Sequence, residues 1–234
     1  MKATIKHPRA LLAKAAAASF TESSLYRVLS HTLLLAAASN AAGDKEAYEK
    51  RGFVRISGGW VSDVYSHPKA PDVVFKLGYK TVPCPTNNTN MPYAERQYDG
   101  YFLWAWLCHE YQQQEGYFSL LPQFKGMVHE AVGSVYVIER LNDVADALAY
   151  DAAASMRSVF QHQRRGSMCT PKELARAKNF MRYVKRVLHD PAYDEHPIDC
   201  WDIHNGNVMA RNTPQGTEYV LTDPWGTLCG REYA

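Results

Sequence analysis

The chain has 234 residues, of which 46% are hydrophobic and 21% charged, enough for one domain of two lobes or two small domains around a sizeable core. With 26 Lys and Arg against 24 Asp and Glu the formal charge is +2, a near-balance that gives no reason to expect a nucleic-acid partner. The five cysteines (Cys84, Cys108, Cys169, Cys200, Cys229) are odd in number, scattered and without a C-x-x-C pair, which fits reduced thiols in a cytosol better than a disulfide framework.

Residues 1–50 are rich in Ala and Leu and favour two helices, the second opening near Glu22 and stopping near Gly43. A secretory signal needs an unbroken apolar run, and Lys14 interrupts the first one here. No apolar stretch approaches the ~20 residues of a membrane span. The expectation is a cytoplasmic protein without a membrane partner.

The character changes at Arg51. Phe53–Ile56, Trp60–Tyr65 and Val73–Leu77 alternate as strands of an antiparallel meander, with Ser57-Gly58-Gly59 as the first corner. Residues 80–92 hold three prolines and three asparagines and read as a loop. Pro92 suits the first turn of a helix over 93–115, which is apolar on more than one face and should be buried. Met127–Leu141 reads as a hairpin ending in a buried strand, and residues 142–162 as helical. Thr170-Pro171-Lys172-Glu173 is a helix start: a capping threonine, proline at the first position and glutamate three residues after the cap. Leu174, Ala177, Met181, Val184 and Leu188 then give one apolar face, and Asp190-Pro191 ends the helix.

The polar segment Asp202-Ile203-His204-Asn205-Gly206-Asn207 follows. Val208–Arg211 and Glu218–Thr222 read as the arms of a hairpin turning at residues 212–216, which returns Asp223 beside Asn207. A carboxylate near an acceptor hydroxyl, with an amide and a second carboxylate to hold a metal, is what phosphoryl transfer requires. Upstream, backbone N–H groups at Gly58 and Gly59 can approach phosphates, and Lys76 on a neighbouring strand can reach the inner phosphates. Cys200 and His204 have no companions that would make a zinc site, and H-E-x-x-H is missing.

Glycine turn, strand lysine, D-x-x-x-x-N loop and metal aspartate occur in the order of the kinase signatures. The chain thus resembles the protein kinase-like fold. More narrowly, Gly59–Pro68 with Val74–Lys80, and Asp202–Met209 with Thr222-Asp223-Pro224, are similar to the early serine/threonine protein kinase of short-tailed (podovirus) bacteriophages. The resemblance spans about 170 residues with about 30 closely matched. It implies an α+β fold of two lobes: an antiparallel sheet lobe with one buried helix over 51–141, and a reduced helical lobe over 142–234, with the N-terminal helices added.

The resemblance further implies that Asp202 orients the acceptor hydroxyl or takes its proton, and that Asn207 and Asp223 bind Mg2+. Lys76 holds the α- and β-phosphates of ATP, Gly58 and Gly59 cover them, and Glu139, Arg140 and Leu141 form the adenine hinge. Glu95 pairs with Lys76, with Asp99 one turn on as the alternative. His204 shapes the loop. Partners would be ATP and host proteins in the host cytoplasm, with autophosphorylation as a further reaction.

Departures from the pattern are Cys200-Trp201 in place of His-Arg, Pro224-Trp225 in place of Phe-Gly, and a glycine turn short of G-x-G-x-x-G. The eleven residues after Asp223 leave no room for a long activation segment. Two competing readings remain: a small-molecule kinase of the aminoglycoside phosphotransferase type, which D-x-H-x-x-N suits equally, and a non-catalytic pseudokinase that binds a host target.

Overall fold

The computed structural model describes residues 48–50, 52–58, 62–78, 81–83, 90–92, 100–130, 133–188 and 201–225. The helices expected over 1–50 lie outside them, apart from a helical turn at Tyr48-Glu49. The fold is α+β. Its described residues fall into two compact units, 48–92 with 124–140 and 100–123 with 141–225, so the chain passes from the first to the second between Arg140 and Leu141.

The first unit is a five-stranded antiparallel sheet in the order β1-β2-β3-β7-β6. Its strands are β1 (Val54–Gly58), β2 (Ser62–His67), β3 (Ala70–Gly78), β6 (Phe124–Glu130) and β7 (Gly133–Glu139). The period of two puts Tyr65, Phe75, Leu77 and Val137 on one face, where they bury themselves with Tyr48 and Phe53. Phe53 stands edge-on to Phe75 at 5.2 Å between ring centroids, and Tyr48 lies 5.1 Å from Tyr65.

Within residues 80–92, two short strands, β4 (Thr81–Pro83) and β5 (Asn90–Pro92), pair antiparallel where a loop was expected. Proline is tolerated there because each strand of a two-stranded ribbon has an unpaired edge that needs no N–H donor.

The second unit is built on three helices, α1 (Gly100–Glu115), α2 (Asp146–Met156) and α3 (Pro171–Leu188). A π-helical turn, Arg157–Gln161, continues α2. A three-stranded antiparallel sheet runs β10-β9-β8, with β8 (Asn142-Asp143), β9 (Val208–Thr213) and β10 (Gly216–Leu221). The short β8, read as the start of a helix from sequence, pairs with Met209 and Ala210 of β9.

Helix α1 is buried as its sequence demands, but it belongs to this second unit and not to the sheet with which it was expected. Trp104, fully buried, makes edge-to-face contacts with Phe160, Phe180 and Trp225 at 6.0, 5.5 and 5.2 Å. Three aromatic partners from three later segments outweigh sequence proximity to the sheet.

The start of α3 is the capping box read from the sequence. Thr170 Oγ1 accepts from Glu173 N (3.2 Å), and Glu173 Oε2 accepts from Thr170 N (2.8 Å). Glu173 Oε1 takes the Ser119 hydroxyl as well (2.8 Å). Cys108 and Cys169 are free, buried thiols, and burial pushes both thiol pKa values up, so little thiolate forms at neutral pH.

Two outcomes follow. Trp104→Ala should cost about 3–5 kcal/mol of stability in urea unfolding, the range for removing a large buried aromatic; a loss under ~1 kcal/mol would show that this cluster does not organise the second unit. Alkylation at neutral pH, read peptide by peptide, should leave Cys108 and Cys169 unmodified in the native protein and modify both once it is denatured.

Candidate functional site

The site residues fall into two groups, one on each unit. In the first unit Lys76 sits on β3, paired across the sheet with Val64 of β2 and Tyr136 of β7. Its neighbours Phe75 and Leu77 point into the core, so the half-buried Lys76 side chain lies on the opposite face. Glu139 ends β7 opposite Val73. The Arg140 N–H is spent on the Asp72 carbonyl at 2.8 Å, so Arg140 can offer an adenine ring its carbonyl but not its N–H. Leu141 opens the second unit.

Gly58 has a role that the sequence reading missed. Arg55 reaches across β1 to Asp63, with Nε and one Nη each 2.7 Å from Asp63 Oδ1. A Cβ on Gly58 would lie 2.0 Å from the Arg55 guanidinium and 2.1 Å from that oxygen. Glycine therefore makes room here for an ion pair whose carboxylate is only 5% exposed, and a larger residue would push the Arg55 guanidinium aside. Its place beside a phosphate is not needed to explain it. Gly59, Glu95 and Asp99 lie outside the described residues.

In the second unit Asp202, Asn207 and Asp223 are brought together, and hydrogen bonds show how. The Asp202 N–H donates to the Pro224 carbonyl (2.7 Å), next to a bridge between Trp201 and Trp225. The β9–β10 hairpin keeps an unbroken register from Gly216↔Thr213 to Leu221↔Val208, with only Pro214 and Gln215 at the turn. That register sets Thr222 against Asn207, whose carbonyl accepts both the Thr222 N–H (2.9 Å) and its hydroxyl (3.0 Å). Asp223 is thus bracketed: residue 222 is bonded to Asn207, and residue 224 to Asp202.

Asn207 also folds back along its own loop. Its Nδ2 donates to the Asp202 carbonyl at 2.8 Å. A carbonyl can only accept, so the amide orientation is fixed and Oδ1 is the group left facing outward. No described residue donates to that oxygen.

His204 caps the 3₁₀ turn Asn205–Asn207, its Nδ1 accepting from Gly206 N at 3.1 Å. The other ring nitrogen, Nε2, lies 3.9 Å from Asp202 Oδ2. A Cβ on Gly206 would approach the His204 ring to 2.9 Å, so the glycine lets the cap form. Buried Ile203 and Val208 anchor the loop at each end, while the Asp202 side chain stays 59% exposed.

A rigid support lies behind the hairpin. Arg211 of β9 donates to Ser119 O (2.9 Å), Leu121 O (3.0 Å) and Glu218 Oε2 (2.8 Å), with Tyr117 under its guanidinium at 5.1 Å. Arg176 of α3 donates to the Glu115 and Gly116 carbonyls at the C-terminus of α1 (3.1 and 3.0 Å). Arginines at 176 and 211 gave no sequence signal for this, because their partners are mainly backbone carbonyls of a distant loop.

The donor set suits a hard divalent cation bound to phosphates. The Asn207 amide oxygen and one carboxylate could supply two oxygen ligands to such a cation, which would take the remainder from phosphates and water. Among the described residues no group of three or more His, Cys, Asp or Glu could hold a metal by itself, and no helix is long and apolar enough to cross a membrane. No protein-family model matches the sequence, and no curated protein is significantly similar to it.

Gly58→Ala should lower stability by about 1–3 kcal/mol, the range for a buried polar group losing its partner. The loss should shrink sharply in an Arg55→Ala, Asp63→Ala background, measured as a double-mutant cycle by chemical denaturation. An unchanged midpoint for Gly58→Ala would show that the glycine is kept for another purpose.

Proposed function

We propose that this chain is an ATP-dependent phosphotransferase of the protein kinase-like type, acting on serine or threonine hydroxyls of proteins. The observation that carries the reading is Asn207, held by the Asp202 carbonyl on one side and by Thr222 on the other, with its amide oxygen turned outward. The antiparallel sheet with a lysine on its third strand supports it, as does the chain's return between units beside Glu139 and Arg140. The narrower assignment, a kinase of the bacteriophage type that modifies host proteins and itself in a host cytoplasm, rests on the sequence resemblance.

In this reading Asn207 Oδ1 and the Asp223 carboxylate hold Mg2+, and Lys76 neutralises the α- and β-phosphates. When bound, Mg2+·ATP supplies the phosphoryl group and the charge that draws its oxygens into place. Asp202 would accept a hydrogen bond from the acceptor hydroxyl and take its proton as the oxygen bonds to the γ-phosphorus, while the bond from that phosphorus to the β,γ-bridging oxygen breaks and ADP leaves. Its exposure leaves it open to a bulky protein substrate. His204 steadies the loop through Gly206, with its Nε2 on the side of Asp202. Most of the acceleration comes from positioning and charge neutralisation, with ~10²–10⁴-fold from the base.

Incubation with γ-labelled ATP, Mg2+ and a bacterial lysate tests this. The wild type should label proteins, Asp202→Ala should lower labelling by ~10²–10⁴-fold, and Asp223→Ala should abolish metal-dependent ATP binding. Metal-dependent binding without any transfer would make the chain a pseudokinase. Transfer to an aminoglycoside or other small alcohol, with no protein labelled, would point to a small-molecule kinase.

A further inference from the structure

The near-neutral total conceals a strong separation of charge. Residues 157–186 carry nine Lys and Arg against one acid, Glu173, whereas the rest of the chain carries 17 against 23. Glu173 is committed to the capping box and to Ser119. Of the nine cations only Arg176 is enclosed, by the end of α1, and the other eight are exposed.

Five of these eight stand on α3: Lys172, Lys178, Arg182, Lys185 and Arg186. At 100° per residue they share the solvent face, opposite buried Ala177, Phe180, Met181 and Val184, and they extend along about 21 Å of helix. The pairs Lys178–Arg182 and Arg182–Arg186 are like charges four residues apart, an arrangement that works against the isolated helix. No described carboxylate lies within ion-pair distance of any of the five. Arg182 turns to Asn179 and Arg186 lies over the Tyr183 ring at 5.6 Å. Three more exposed arginines precede the helix within 157–165.

We propose that the solvent face of α3 is a docking surface for double-stranded nucleic acid, gripped through its phosphate backbone. A protein partner would call for apolar or aromatic anchors at the centre of the patch, and none of the large exposed hydrophobics lies on α3. A single strand would call for an open aromatic platform on which bases stack; Tyr183, the one aromatic at the edge of this face, is half-buried and covered by Arg186. What remains is a row of cations along one helix face, suited to gripping a phosphate backbone independent of sequence. The surface is separate from Asp202, Asn207 and Asp223 and does not depend on their assignment.

The test is fluorescence anisotropy with the full chain and labelled DNA duplex, RNA duplex and single strand at stepped salt. Duplex should bind with a dissociation constant on the order of 10⁻⁴–10⁻⁶ M at physiological salt, independent of sequence and falling steeply with salt. Reversing three charges (Lys178→Glu, Arg182→Glu, Lys185→Glu) should weaken binding on the order of 10²-fold and make the log–log salt slope shallower by about 3. A charge-matched control in the first unit (Lys50→Glu, Lys69→Glu, Lys125→Glu) should retain most of the affinity. If circular dichroism shows the first triple variant unfolded, glutamine at the same positions serves with the same expectation. The DNA and RNA arms say which duplex is preferred. The proposal is overturned by no duplex binding, by tighter binding of single strands, by equal loss in the control, or by equal competition from polyglutamate or anionic vesicles.

Discussion

The second unit turns on Asn207. Its side-chain amide ties the start of the polar loop to its end, and its backbone carbonyl ties the loop to the residue after β10. The first joins residues five apart, Asp202 and Asn207, and the second residues fifteen apart, Asn207 and Thr222. Without them Asp202 and Asp223 would sit on independent turns. With them, both acids are held at fixed backbone positions, and each such contact is worth about 1 kcal/mol.

The first unit solves a different problem. A glycine at the end of an edge strand is expected to serve flexibility or ligand approach. Here the missing side chain makes room for Arg55 to cross the strand and satisfy Asp63, which is buried and would otherwise be costly. Lys76 stands two strands in, on the face away from the aromatic core, where the sheet's alternation and not its own charge decides its direction.

Much of this was legible in the sequence where a local rule and the tertiary structure agree. The capping box at Thr170 and Glu173 is one case. The hairpin that returns Asp223 is another, because alternation in Val208–Arg211 and Glu218–Thr222 fixes register once the turn is placed. The failures have physical causes. Pro83 and Pro92 argued against strands, yet a ribbon with a free edge accepts them. Asn142-Asp143 is too short to carry a periodic signal, and it pairs only because β9 passes beside it. The allegiance of α1 was invisible, since an all-round apolar helix does not say which partner will cover it, and Trp104 finds its own in residues 160, 180 and 225. The cation-rich face of α3 was hidden by summing charge over the whole chain.

A crystal structure with Mg2+ and a non-hydrolysable ATP analogue tests the central claim most directly. The account predicts one Mg2+ bound at ~2.1 Å by Asn207 Oδ1 and a carboxylate oxygen of Asp223, with the Lys76 ammonium on the α- and β-phosphates and the Asn207–Asp202 bond unchanged. A nucleotide lodged elsewhere, a metal that ignores Asn207 and Asp223, or a Lys76 amine remote from the phosphates would contradict it.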